Sequence, residues 1–306
     1  MFGISDPSEV FRRPGFAPEC WSQFGHVLQS LADGYNASLE DPSLEVLIPR
    51  LEAADPPLHG FAYEGAAMGL HVLDLLAPRK DRITSLLAAE GGRHMATVYV
   101  GVGMAAARLH RKPERMLNDL DPVLGWAVID GYGFHEGFFA RRRSIDKQII
   151  PPHVSPAGRP VYDQGLGRSI WFSSAGQVPL VARIISAFDP HRRGDLWSGA
   201  AIACSFAGGA DRAALDQLAH VASDFSDELS WAAAAAAWTR DQAGNAAPHT
   251  DLACEILGPI DSRTAAGVLT QARCDAEAGP TSGSGYARWR NAAVSGLRER
   301  TSRPAS

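Results

Sequence analysis

The stretch LSWAAAAAAW, residues 229–238, sets six alanines in a row between Trp231 and Trp238. Alanine is the strongest helix former, so the run predicts a helix. The same reading extends along the chain on either side. Trp21, Phe24, Leu28 and Leu31 recur at i, i+3, i+7 and i+10, one face of a first helix. Leu180, Val181, Ile184, Ile185 and Phe188 make another face, closed at Asp189-Pro190, where proline stops the helix. Asp211, after Gly208-Gly209, is placed to cap a helix carrying Leu215, Leu218 and Val221. Asp261-Ser262 precedes Ala265, Val268 and Leu269 in the same way. Alternation with a period of two is scarce. The expected class is all-α, a single helical domain over residues 1–306.

Composition sets the outer limits. Of 306 residues, 45% are hydrophobic and 21% charged, enough apolar material for a sizeable core. A net charge of −5 and a basic set that is nearly all arginine, with lysine only at Lys80, Lys112 and Lys147, argue against a nucleic-acid groove. Cys20, Cys204, Cys254 and Cys274 form no CxxC pair and read as buried reduced thiols. The opening MFGISDP has an early acid and no long apolar run, unlike a signal peptide. The apolar stretch from Met95 to Ala107 falls short of the ~20 residues that span a bilayer. The expectation is a cytoplasmic protein without a membrane span.

Residues 1–16 read as an N-terminal arm and Arg141 to Pro160, with Pro151-Pro152 and Pro156, as a surface excursion. Gly279 to Gly285 and a tail over 300–306 read as mobile. Glycines that open apolar helices are expected at Gly65, Gly101, Gly137, Gly165 and Gly199, in steps of 36, 36, 28 and 34 residues. Each step is the length of a helical hairpin. Repeated hairpins stack as an α-solenoid or close as an α/α toroid around a central cavity, with chance spacing as the alternative.

Chemistry concentrates in three clusters. In Asp130-Gly-Tyr-Gly-Phe-His135-Glu136-Gly-Phe-Phe139, His135 and Glu136 stand among aromatics, where desolvation raises a carboxyl toward general-acid use. Neighbours on a helix diverge by about 100°, so the two side chains point apart. Position 139 is Phe, so no HExxH metal site exists, and no spacing elsewhere predicts a metal. In His59-Gly-Phe-Ala-Tyr63-Glu64-Gly65, a second Glu-Gly pair invites Glu64 to share one cavity with Glu136, though both can equally be helix-start acids. In Tyr162-Asp163-Gln164-Gly165-Leu-Gly167-Arg168, the arginine can hold an anion or pair with Asp163 to fix the turn. His94, and His249 with Asp251, can join a polar site, whereas His71 and His110 read as satisfied or surface side chains. No nucleophile elbow, diphosphate-binding acid cluster or cofactor motif is present in the sequence, and the expected cofactor is none.

The segments GFAYEGAAMGL (60–70), LDPVLGWAVIDGYGFHEGFF (120–139), YDQGLGRSIWF (162–172), DLWSGAAIA (195–203) and RDQAGNAAPHT (240–250) carry a resemblance. With MFGIS and FRRPGF at the start, they resemble a bacterial family of unknown-function proteins encoded beside the polyketide synthases that make enediyne antibiotics. The likeness covers nearly the whole chain, with Tyr162 standing where Phe is usual. It implies a pathway, the maturation of a linear polyene toward an enediyne core, and carries no catalytic residues. The resulting expectation is an enzyme acting on a hydrophobic polyene or acyl small molecule, with other enediyne-pathway proteins as partners. Phe61, Tyr63, Trp126, Tyr132, Phe134, Trp171 and Trp197 would wall the cavity, and Gln164 and Arg168 would bind substrate. Glu64, His135, Glu136 and Asp163 would move protons. Isomerisation, cyclisation or dehydration fits this set. Making an alkyne removes hydrogen and calls for an oxidative partner or a metal. The alternative is a protein that binds and shields the polyene, or scaffolds its pathway, without chemistry.

Overall fold

The computed structural model describes residues 3–77, 81–278 and 284–302, and among them regular structure is helical throughout, with no strand. The helices are α1 (Cys20–Glu40), α2 (Leu44–Glu52), α3 (His59–Leu76), α4 (Arg82–Ala88), α5 (Met95–Arg108), α6 (Ala127–Phe139) and α7 (Arg159–Ser173). They continue as α8 (Val178–Ser186), α9 (Pro190–Ala207), α10 (Arg212–Val221), α11 (Ser226–Ala243), α12 (Pro248–Leu257), α13 (Ser262–Ala278) and α14 (Gly285–Thr301). Local sequence accounts for their ends. Asp211 accepts the Ala214 N–H at 2.8 Å and Asp261 the Thr264 N–H at 2.8 Å, each satisfying an orphan donor of a first turn. Asp189 accepts from His191 N, so Asp189-Pro190 starts α9 besides ending the segment before it. The alanine run is the middle of α11, which stops at Gly244 in the left-handed region.

Packing follows chain order. Helix α1 lies on α3, α3 on α5, and each then meets the next through α6, α7, α9, α11, α13 and α14, while α14 turns back against α11. Glycine makes these crossings close. A Cβ on Gly103 of α5 would collide with the Val128 carbonyl of α6, and one on Gly131 of α6 with the Val100 carbonyl of α5. The same reciprocal contact joins α6 to α7 through Gly133 and Gly165, and α7 to α9 through Gly167 and Gly199. Backbone against backbone also permits weak Cα–H···O contacts between the helices. The regularly spaced glycines therefore mark helix crossings. Gly65, Gly101, Gly137, Gly165 and Gly199 lie inside their helices and open none of them.

Other expectations shift too. Trp21 is 41% exposed, outside the buried face of Phe24 and Leu31, and packs edge-on against Phe11. The N-terminal arm docks through Phe11, whose ring lies 6.3 Å from that of Phe138; residues 1–2 lie outside the described residues. The excursion after Arg141 coils over Arg142–Asp146 and buries Ser144, Ile145 and Val154, with Ser144 bonded to the Glu136 carbonyl, so it packs over α6 as a covering segment. Its last two positions, Arg159 and Pro160, already belong to α7. Of the segments read as mobile, 279–283 and 303–306 lie outside the described residues, while Ser284 caps α14 and Arg300 and Thr301 end it. Cys20, Cys204 and Cys254 are buried, but Cys274 is exposed. Among the described residues no helix is long and apolar enough to cross a membrane.

Candidate functional site

The glycine crossings bring together a buried polar cluster. The carbonyl of Glu64 faces Gly101, that of Asp130 faces Gly165, and that of Gln164 faces Gly199. Those three residues, from α3, α6 and α7, thus lie where backbones approach most closely. Gln164 and Arg168 are one turn apart on α7 and share a face. Arg168 ion-pairs with Asp130 through Nη1, and its Nη2 lies 3.7 Å from Glu64 Oε2. Gln164 Nε2 donates to the other Asp130 oxygen at 2.8 Å, and the Tyr286 hydroxyl of α14 donates to Gln164 Oε1 at 2.7 Å. Phe134 supports the guanidinium from below, 4.9 Å from its ring centre.

Two carboxylates share one arginine here, and all three side chains are buried. Burial pushes the Glu64 carboxyl up to about 7; Arg168 pulls it back and the Asp130 charge pushes it further. Glu64 Oε2 has no hydrogen-bond partner. For Arg168, burial works against the cation, but Asp130 and Glu64 more than offset it and its pKa is raised. The cluster therefore holds a fixed Arg168–Asp130 pair and a proton on Glu64 that exchanges near neutral pH.

Asp130, Gln164, Arg168 and Tyr286 form the polar side of a cavity of about 90 Å³. The other walls are apolar: Val100 of α5, Phe206 of α9, Trp231 and Trp238 of α11, and Trp289 of α14. Trp231, Ala235 and Trp238 fall at i, i+4 and i+7, one face of α11, and the small Ala235 leaves room between the indoles. The Trp231 N–H is buried without a partner. Beyond Ala96, Leu124, Trp238 and Thr239, which belong to both, lies an outer hollow of about 320 Å³ rimmed by Arg93, Arg273, Glu277 and Cys274.

The predicted site residues divide. Glu64, Gln164, Arg168 and Phe134 meet in the inner cluster, and Asp130, quoted within its motif but given no role, is their central partner. Glu136 does not join them: it pairs with Arg143 on the far side of α6. It stands six positions after Asp130, about 120° away around the helix, and it does not line the cavity that Asp130 lines. Asp163 pairs with Arg192 rather than Arg168, with Nε donating at 2.8 Å, and Arg192 also reaches the Gln148 carbonyl. That clamp ties α7 and α9 to the covering segment. Burial, against the pull of Arg192, raises the Asp163 pKa.

His135 lies against Phe139, 4.5 Å between ring centres, with neither ring nitrogen hydrogen-bonded. Burial drives its pKa down to about 3, helped by Arg108, so it is a packed neutral ring and no match for proton transfer at neutral pH.

The aromatics expected as walls do not line this cavity. Trp171 is core, its N–H on the Gly208 carbonyl. Phe61 reaches the cavity only by packing on Phe206 at 5.2 Å. Tyr132 meets His153 under the covering segment, and its pKa is pushed up to about 12 by burial and Glu136. Tyr63 stacks on His94, while Trp126 is half-buried and Trp197 buried, both off the cavity. His94 is held neutral, with burial lowering its pKa to about 4. His249 joins a latch: buried Arg240 reaches the Asn245 carbonyl at 3.1 Å and the His249 ring at 3.2 Å, linking α11 to α12. The aromatic walls of this cavity, Phe206, Trp231, Trp238, Tyr286 and Trp289, come from α9, α11 and α14. The signal within reach was the seven-residue spacing of the two tryptophans around the alanine run.

A family model for a protein of unknown function, DUF1702, matches residues 2–296. The chain belongs to the DUF1702 family. The match takes in every helix that lines the cavity, including α14 as far as its last turns. No curated protein and no solved structure matches this DUF1702 chain.

Proposed function

We propose that the chain binds an elongated, apolar, unsaturated acyl molecule with its polar end against Arg168, Asp130 and Gln164, and moves a proton on it. The observation that carries this reading is the buried Asp130–Arg168 pair at the polar wall of an aromatic cavity, with Glu64 sharing the arginine from outside the wall. Arg168 and the Gln164 amide are donors suited to a carbonyl or carboxylate oxygen. Glu64 stands behind Arg168 and is a positioning residue: its proton sets the net charge of the cluster at neutral or at minus one. The reaction class is isomerisation, cyclisation or dehydration, in which Asp130, the carboxylate that lines the cavity, takes a proton from one carbon and returns it elsewhere on the molecule, without net oxidation. Ligand sites of drug size need ~300 Å³ or more. The inner 90 Å³ therefore takes the polar head, and the adjoining 320 Å³ hollow takes the chain. The resemblance to proteins encoded beside enediyne polyketide synthases supports a linear polyene as that molecule.

A second reading, binding and shielding without chemistry, is favoured by Glu136–Arg143 and Asp163–Arg192, where the expected acids are neutralised by arginine. The test mixes protein with the linear polyene released by such a synthase and follows absorption and mass together. A changed mass or chromophore that is lost in Arg168→Lys and slowed in Glu64→Gln supports the enzyme. Tight retention of unchanged polyene supports the binder, and absence of any binding overturns both.

A further inference from the structure

Away from the cavity, three side chains from separate parts of the chain converge: Glu52 at the end of α2, His59 at the start of α3 and His94 just before α5. One donor atom from each lies within 4.8 Å of the other two. The hydrogen bonds around them fix which atoms are free. His59 Nε2 is 2.8 Å from the Ala54 carbonyl, which can only accept, so Nε2 carries the hydrogen. Nδ1 then turns its remaining valence toward Glu52 Oε2, 3.3 Å away. A lone pair and a carboxylate oxygen facing each other need something positive between them, a second proton or a metal ion. Tyr63 organises the other two donors. Its hydroxyl donates to Glu52 Oε1 at 2.7 Å, leaving Oε2 free, and its ring stacks on His94 at 4.2 Å. His59 and Glu52 are thus oriented as metal ligands are, by a partner on the atom not used, while the Tyr63 ring holds His94 in plane.

We propose that Glu52, His59 and His94 bind a divalent first-row transition-metal ion. Two imidazoles and one carboxylate suit zinc or its neighbours, and three protein donors leave a position for solvent. Bonds of about 2.1 Å would set tetrahedral donors ~3.4 Å apart, so the site closes slightly on the ion. Glu52, whose side chain is 40% exposed, is free to make that movement.

The test uses the full chain, stripped by a chelator and titrated with free Co²⁺ and then Zn²⁺. The expected result is one Co²⁺ per chain with ligand-field absorption, displaced by Zn²⁺, and a thermal midpoint raised by either ion. Glu52→Gln and His59→Gln abolish uptake while the metal-free circular dichroism stays as in the parent. Tyr63→Phe, which alters no ligand, weakens affinity about tenfold. Two results overturn the proposal: a folded, metal-stripped parent that takes up neither ion, or uptake undiminished in both ligand variants.

Discussion

Two polar regions flank α6 and α7, built from the same residue types, and they differ in how many carboxylates each arginine serves. Under the covering segment, Glu136 has Arg143 and Asp163 has Arg192, one arginine for each carboxylate. On the cavity side, Asp130 and Glu64 share Arg168. Partners and burial, not residue identity, decide the difference. A carboxylate with its own guanidinium is a fastener, though burial still raises the Asp163 pKa; a second carboxyl brought to an already paired arginine, deep in the protein, is pushed up to about 7.

Removing the shared cation breaks the comparison most severely. Arg168→Met leaves the Asp130 charge buried without its partner and should cost ~3–5 kcal/mol in chemical denaturation. Arg143→Met also strands a buried carboxylate, Glu136, but at a site where the lost guanidinium is 50% exposed and water can take its place, so it should cost less, ~1–3 kcal/mol. Comparable losses in the two variants would erase the distinction between inner and outer regions.

The next effect is a pH dependence. The native Glu64 carboxyl, pushed to about 7 from an ordinary 4.5, binds its proton more tightly than the unfolded chain does. Its contribution is fully present below the unfolded value and is lost as pH rises through about 7. The difference amounts to the order of 3 kcal/mol. The parent should therefore lose stability between about pH 5 and pH 8 relative to Glu64→Gln, which is neutral throughout. Parallel pH profiles for the two proteins would show that Glu64 is already ionised in the folded state.

The crossings that assemble the cluster give a smaller, separable effect. Gly165→Ala forces α7 away from the Asp130 carbonyl and should destabilise by ~1–3 kcal/mol, with reduced polyene binding. Gly267→Ala, on α13 with open space at the new methyl, should be neutral or stabilise by up to ~1 kcal/mol through helix propensity. Equal responses at the two glycines would remove the close approach as the device that positions Glu64, Asp130 and Gln164.

The helical class was legible because its signals are local: the alanine run, the capping aspartates at 211 and 261, and the amphipathic faces. Glu64, Gln164 and Arg168 were also within reach, since each stands in a cluster of glycines and aromatics. The glycine spacing was visible too, but its cause is contact between backbones of different helices, which resembles a helix-start pattern until the packing is seen. Glu64 and Glu136 do not meet because α6 sets Glu136 about 120° around from Asp130, where Arg143 takes it. Tyr286 and Trp289 were out of reach: the bond from Tyr286 to Gln164 joins residues 122 apart. The approach of Glu52, His59 and His94 is similarly non-local, so no motif spacing could announce it.

Infrared difference spectroscopy of the carboxyl region tests the central claim most directly, comparing the parent with Glu64→Gln across neutral pH. The account predicts a protonated-carboxyl band in the parent that disappears with a midpoint near 7 and is missing from the variant. A parent spectrum with no carboxyl titrating in that range, or one whose titration survives in Glu64→Gln, would contradict it.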